Sequence, residues 1–526
     1  MTRHEEPYVP ETLDVEQIDG RNDMDPETFR AAAHVVVDRI ADYLRDVEQY
    51  AVLPAIEPGT IAPQLPDTAP DAPEPLETIL ADVDRLVFPN ATHWQHPGFF
   101  AYFATSASGP GMLGEFLTAA LGQNPMLWRT SPVGTELEGV VVGWLRRALS
   151  LPDAFDGLLT DTASTSTLIA LAAAREAAGL DVAARGLAGR EDLGQPRVYT
   201  STETHSSIEK ACMTLGLGRA AVVKVPVNER YEMDVAGLER AIAADRAAGR
   251  TPIAVVATVG TTSSTSVDPV AAIADVAERE GIWLHVDSAY AGVVALLPDR
   301  RAPFTGWERA DSIVVNPHKW LFAPLDVSLL LSRRMDQLRA AFSLVPEYLR
   351  TLDREHPVHD YTEYQPQLGR RMRALKLWMQ LRWFGLEGIR RRIAYHLAEA
   401  ERFAAWVDED PEWERLAPVP FSTVCFRYRP ARLAGHEDEP EVHDALDDRN
   451  TRLMDAVNRT GEVFLSHTRL RDRFTIRIAI GNLRTQPHHV ERAWELLRRE
   501  AANLDSREMT HDGSDHGPVL LPHEVG

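Results

Sequence analysis

Along this chain the apolar positions change their spacing several times, and each change marks an element. After a polar, aperiodic stretch over residues 1–23, Phe29, Ala33, Val36, Val37, Ile40, Leu44 and Val47 recur every three or four residues. That spacing predicts one helix with a single apolar stripe. Asp25 can cap it and Pro26 suits its first turn. Prolines 54, 58, 63, 66, 70, 73 and 75 then predict an extended strap. From residue 165 helix and strand patterns alternate. Helices are predicted over 165–178, 208–215 and 269–280, and strands over 197–200, 253–259, 282–286, 312–315 and 327–331. Such alternation predicts a mainly parallel sheet with helices on both faces, which binds ligands at the carboxyl ends of its strands.

Beyond about residue 365 the pattern changes. Long helices over 375–384 and 388–407, strands over 423–428 and 474–480 and a helix over 490–502 predict a smaller α+β lobe. Residues from about 507 lack periodicity and read as disordered. The expected organisation is a mobile extension (1–23), an N-terminal helical and strap segment (24–105), a large domain (106–385), a small domain (386–505) and a disordered tail (506–526).

Charge narrows the partners. Against 55 Lys and Arg stand 78 Asp and Glu, a net −23, which argues against nucleic acid or an anionic membrane as partner. No apolar window is long enough for a membrane span, and the polar, acidic start does not resemble a secretory leader. Two cysteines, Cys212 and Cys425, cannot form a disulfide framework, so a reducing, cytoplasmic location is expected. The pairs His356/His359 and His488/His489 lack accompanying carboxylates or thiolates and read as surface histidines, so no metal is expected. The run Arg390–Arg392 reads as a solvated helix face.

Two stretches carry the chemistry. His285-Val286-Asp287-Ser288-Ala289-Tyr290 ends one predicted strand, and Asn316-Pro317-His318-Lys319-Trp320 follows another. An Asp at one strand end and a Lys just past a later one suit a pyridoxal phosphate (PLP) enzyme. The Lys amine bonds the cofactor aldehyde, and the carboxylate keeps the pyridine nitrogen protonated. Asp161-Thr162-Ala163-Ser164-Thr165 precedes an Ala-rich helix, whose first N–H groups can hold an anion.

From about Met24 to Ala502 the chain resembles the group II PLP-dependent amino-acid decarboxylases, most of all the aromatic-L-amino-acid decarboxylases. The resemblance implies a type I (aspartate-aminotransferase-like) fold, pyridoxal 5'-phosphate as cofactor, an amino-acid substrate and a homodimer embraced by the N-terminal segment. It implies Lys319 as the cofactor-bearing lysine and Asp287 as the partner of the ring nitrogen. His205, in Thr204-His205-Ser206, would stack on the ring and reach the substrate carboxylate. Ala163 and Ser164 would hold the phosphate, and Thr262, Asn316 and His318 would touch the cofactor. Tyr348, 29 residues after Lys319, would sit on a mobile loop and protonate the carbon that loses CO2. Trp94, Tyr102, Phe103 and Thr105 would line the substrate pocket. Asn124 and Met126 stand where animal members carry apolar or aromatic residues, and Gly369 is the small form that leaves room for larger rings. The implied reaction is decarboxylation of tryptophan, tyrosine, DOPA or phenylalanine to the amine. A non-aromatic substrate (glutamate, histidine or diaminobutyrate) and a decarboxylating aldehyde synthase are the alternatives.

Overall fold

The computed structural model describes residues 23–344, 359–437 and 439–512, with side chains as far as Ser506. Two compact units divide at His93–Trp94. The boundary falls earlier than the expected 105, because Phe99, Phe100 and Ala101 are fully buried in the second unit.

In the first unit the predicted helix is Pro26–Asp46, and Asp25 caps it, accepting from Glu27 N at 3.0 Å and Thr28 N at 3.1 Å. Val36, Val37 and Ile40 on its apolar stripe are exposed. The proline-rich stretch contains turns and one 3-10 turn, Ala62–Gln64, with no α-helix or strand between residues 51 and 75.

The second unit is built on a seven-stranded sheet. Its strands are β1 (Asp156–Thr160), β2 (Pro196–Ser201), β3 (Val222–Val225), β4 (Thr251–Thr258), β5 (Trp283–Asp287), β6 (Ser312–Val315) and β7 (Ser328–Ser332). They lie in the order β1-β7-β6-β5-β4-β2-β3. Pairing is parallel from β3 through β2, β4 and β5 to β6. By contrast β7 is antiparallel to both neighbours. The link from β6 to β7 contains no helix, and a parallel return needs a crossover. Helices Ala163–Ala177, Ser207–Thr214, Val235–Ala247 and Val270–Glu280 alternate with the strands. Both sheet faces are covered: on β4, Val255 and Ala257 join one core while Ala254 and Val256 join the other. Double burial explains why this strand reads as an unbroken apolar run.

The smaller lobe has a four-stranded antiparallel sheet of β8 (Trp413–Arg415), β9 (Thr423–Tyr428), β10 (Ser466–Leu470) and β11 (Arg473–Ala479), in the order β10-β11-β9-β8. Phe403, Phe426, Leu453, Ile476 and Leu496 fill its core. The two long helices predicted around residue 385 run as Ala374–Glu409 with a break at Gly385, whose φ of 61° is left-handed and suits glycine. The last helix, Pro487–Asp512, runs into the stretch expected to be disordered. No Gly or Pro interrupts the sequence between Pro487 and Gly513, so nothing there stops a helix. Arg390 departs from its expected solvated role, donating from Nε to the Leu296 carbonyl at 2.7 Å. His489 is buried rather than on the surface, its Nδ1 accepting from Gln486 N at 2.9 Å.

A buried ion pair fixes the segment that leads into the Ala374–Glu409 helix. Arg370 meets Glu138 through two bonds of 2.7 and 2.9 Å, and also donates to the Leu159 carbonyl at 2.6 Å on β1. Both side chains are essentially inaccessible to water. Removing either partner would strand a buried charge, a loss of about 3–5 kcal/mol.

Candidate active site

The loops of interest leave one edge of the large sheet. Register sets Thr258 of β4 beside Asp287 of β5, and Asp287 beside Val314 of β6. Across β7, Thr160 of β1 pairs with Ser328, next to the Leu329–Val315 pair. The carboxyl ends of β1, β4, β5 and β6 thus form one rim, where ligands of such sheets bind.

Asp287 ends β5, is buried, and accepts from Ala289 N at 3.1 Å through Oδ1. Lys319 lies in the turn after β6, its N–H donating to the Asn316 carbonyl at 3.0 Å. The Lys319 amine stands 5.2 Å from the centroid of the Phe103 ring. Burial lowers the pKa of this amine, and the Asp287 carboxylate opposes the fall. His205, on the loop after β2, keeps an open face, yet the walls of the recess lower its pKa by burial. Asp287 opposes that shift and Lys319 adds to it. These three groups therefore act as one electrostatic cluster. His205 Nδ1 accepts from Ser207 N at 3.1 Å, so the neutral ring carries its proton on Nε2.

A similar argument orients Asn316. His318 Nδ1 accepts from Val327 N at 3.0 Å, and burial takes its pKa down to about 4. The neutral ring then holds its proton on Nε2, 3.3 Å from the Asn316 carboxamide. Only the carboxamide oxygen can accept that proton. The far side of the amide is buried without a protein partner, which makes it a spare N–H donor.

Ala163 and Ser164 open the helix after β1, capped by Thr162, whose hydroxyl accepts from Thr165 N at 3.4 Å. Their N–H groups lie in the first turn, at the positive end of the helix. Ser166 braces this turn, its hydroxyl 2.8 Å from that of Thr160 and 2.9 Å from that of Ser328. The Asp161 carboxylate is engaged locally, accepting from Thr162 N at 2.5 Å and Gln367 Nε2 at 3.4 Å.

The expected pocket residues divide. Phe103 reaches the Lys319 amine directly. Trp94 and Tyr102 are exposed and stack on each other with centroids 6.3 Å apart, and Trp94 stacks on Phe99 at 4.3 Å. Thr105 is half-buried two residues past Phe103. Thr262 exposes its side chain, while its carbonyl accepts from Arg477 Nη2 at 2.8 Å. Asn124 Oδ1 accepts from Arg370 N at 3.0 Å, and Asn124 also faces the open side of Gly369. Tyr348 lies outside the described residues.

Sequence reading missed Arg477. It is buried on β11, bonded to the carbonyls of Thr262 and Ser263 and to the Ser466 hydroxyl, with its guanidinium carbon 5.4 Å from the Phe103 centroid. An Arg at the centre of the apolar run Phe474–Ile480 was the available signal, since such strands rarely bury a charge without purpose. Two surface clefts lie apart from the rim. One of about 470 Å³ holds Arg246, Arg309 and Asp311, and one of about 490 Å³ is lined by Asp268, Pro303 and Pro420.

Pyridoxal phosphate fits the donor set at the rim: an amine with lowered pKa, a buried carboxylate beside it, a helix start rich in free N–H groups, and buried polar atoms on Ser207 and Asn316 without protein partners. Comparison with known proteins agrees. The chain is 40% identical over 490 residues to phenylacetaldehyde synthase of Arabidopsis thaliana, covering 91% of this chain and 97% of that one. It is likewise 40% identical over 494 residues to tyrosine decarboxylase 2 of the same plant, covering 91% and 88%. Among solved structures, Oryza sativa TDC with PLP and tryptamine superposes with a TM-score of 0.86 at 36% identity, covering 91% of this chain and 99% of that one. Residues 58–429 match the pyridoxal-dependent decarboxylase conserved domain. On these grounds the chain belongs to the pyridoxal-dependent decarboxylase family, with the type I fold and the PLP cofactor that go with it.

Proposed function

We propose that this enzyme decarboxylates an aromatic L-amino acid to its amine. The observation that carries the reading is the Asp287–Lys319–His205 cluster at the carboxyl ends of three parallel strands, walled by Phe103. When bound, PLP supplies an electron-accepting ring. The chain's own groups do the rest. Lys319 would hold the cofactor through its amine. Asp287 keeps the ring nitrogen protonated through charge pairing. His205 would lie against the cofactor ring, and its Nε2–H would be placed to donate to the substrate carboxylate. Ala163 and Ser164 hold the phosphate at the helix start, and Thr262, Asn316 and His318 complete the cofactor contacts. Tyr348 delivers a proton to the carbon from which CO2 has left.

Phe103, Trp94, Tyr102 and Thr105 are read as the wall against the substrate ring, with Asn124, Met126 and Gly369 opposite. Relatives named for tyrosine and for tryptophan both match along most of the chain, which supports an aromatic substrate without choosing a ring. The second reading, an aldehyde synthase, draws on the 40% identity to phenylacetaldehyde synthase. Tyr348 opposes it.

The assembly is read as a homodimer. Leu113, Leu117 and Leu121 on the Gly109–Leu121 helix are exposed, as are Val133 and Val140 on the Pro132–Ala148 helix. A monomer rarely leaves apolar clusters of this kind in water, and a second copy would cover them. Among the described residues no helix is long and apolar enough to cross a membrane. Both cysteines are free and buried, which accords with a cytoplasmic, reducing setting.

A substrate panel tests the reading. Release of CO2 from tryptophan, tyrosine, DOPA and phenylalanine is expected to exceed that from histidine and glutamate by at least about 100-fold in kcat/KM, the scale of a site built for one side-chain class. Equal or faster turnover of glutamate or histidine would overturn the aromatic assignment.

A further inference from the structure

A continuous stack of rings runs from the Lys319 amine into the smaller lobe. Phe103 stacks on Tyr290 with centroids 3.8 Å apart and planes 15° from parallel. Tyr290 stacks on Trp320 at 4.8 Å and 9°, and Trp320 on His396 at 6.3 Å and 22°. Trp320 Nε1–H donates to His396 Nδ1 at 2.9 Å. One face of Phe103 is thus covered by Tyr290. The Lys319 amine, at 5.2 Å, and the Arg477 guanidinium, at 5.4 Å, also stand over the Phe103 ring. Tyr290 is fully buried, and its hydroxyl lies 2.6 Å from that of Ser422, just before β9 of the smaller lobe. Space around that hydroxyl is tight: a side chain at Gly481 would come within 3.0 Å of it. Trp320 adjoins Lys319 and Tyr290 follows Asp287 by three residues, so the stack is threaded through both chemical loops.

We propose that Tyr290 is a positioning residue that couples the smaller lobe to the active site: its bond to Ser422 and its stack on Phe103 hold the Phe103 ring face against the Lys319 nitrogen. An aromatic face stabilises a positive charge above it. Loss of that alignment therefore disfavours the protonated Lys319 nitrogen. The charged groups coupled to the same nitrogen are Asp287 from β5 and His205 from the loop after β2, and Arg477 from β11 stands over the same Phe103 ring. None of them is changed in the variants below. The inference rests on Lys319 bearing the cofactor.

The test is the pH titration of the visible band of the holoenzyme, with thermal unfolding as the structural control. Tyr290→Leu is expected to move the midpoint down by about half a pH unit, the weight of one cation–aromatic contact. Tyr290→Phe and Ser422→Ala, which keep the stack and remove only the hydroxyl pair, are expected to move it less and in the same direction. Their double variant should move it no further than either alone. Midpoints that stay at the wild-type value while the melting temperature falls would make Tyr290 merely structural. Additive shifts in the double variant would show that the hydroxyl pair does not couple the lobes. If the wild-type protein shows no visible band, the failure lies instead with the assignment of Lys319.

Discussion

Replacing Lys319 with alanine is expected to remove the visible absorbance of bound cofactor and to lower decarboxylation by at least about 10⁴-fold, the scale seen when a covalent catalytic group is deleted. The expectation follows from how the amine is placed. Its turn is tied to Asn316, its nitrogen sits over the Phe103 ring, and burial lowers its pKa while Asp287 resists the fall. A lowered pKa leaves more neutral amine, the form that can bond an aldehyde. The variant should still hold some PLP through Ala163, Ser164 and the spare Asn316 donor. Cofactor retention without the lysine-linked band would separate binding from attachment. A variant that kept both the band and the activity would remove Lys319 from its role.

Tyr348→Phe should change the product. Removing a general acid typically costs about 10²–10⁴-fold, and amine formation should fall by that order. Under oxygen the carbon left after CO2 departs can be oxidised instead: amino acid, O2 and water then yield aldehyde, CO2, ammonia and hydrogen peroxide. Overall identity does not separate the two outcomes, because a tyrosine decarboxylase and an aldehyde synthase are equally similar to this chain. On the proposed reading, the Tyr348 phenol is the feature that does. Unchanged amine production in the variant, measured beside peroxide, would show that another group supplies the proton.

How far the sequence could be read depended on whether the deciding contact was local. Strands buried on both faces stand out as apolar runs, so β6 and β9 were placed to the residue and β5 to within one. Asp287 and Lys319 were legible because each sits just past such a run. The reversed direction of β7 was not legible, since Ser328–Ser332 reads the same whichever way it pairs. Strand β1 is short, begins with Asp156-Gly157 and pairs with a strand far along the chain, so its pattern carries little signal. Arg477 and the Tyr290 stack were invisible for a related reason: their partners Thr262, Phe103 and Ser422 lie more than a hundred residues away along the chain. Gly385 was one break among many glycines until its left-handed backbone separated two helices.

The most direct test of the central claim is product stoichiometry. The unmodified enzyme is incubated in air-saturated buffer with L-tyrosine, or with whichever aromatic amino acid the panel ranks first, and amine, CO2, aldehyde and peroxide are quantified together. One amine per CO2, with aldehyde and peroxide at background, is the predicted result. Aldehyde and peroxide equal to CO2, with no amine, would contradict it and make the protein an aldehyde synthase despite Tyr348.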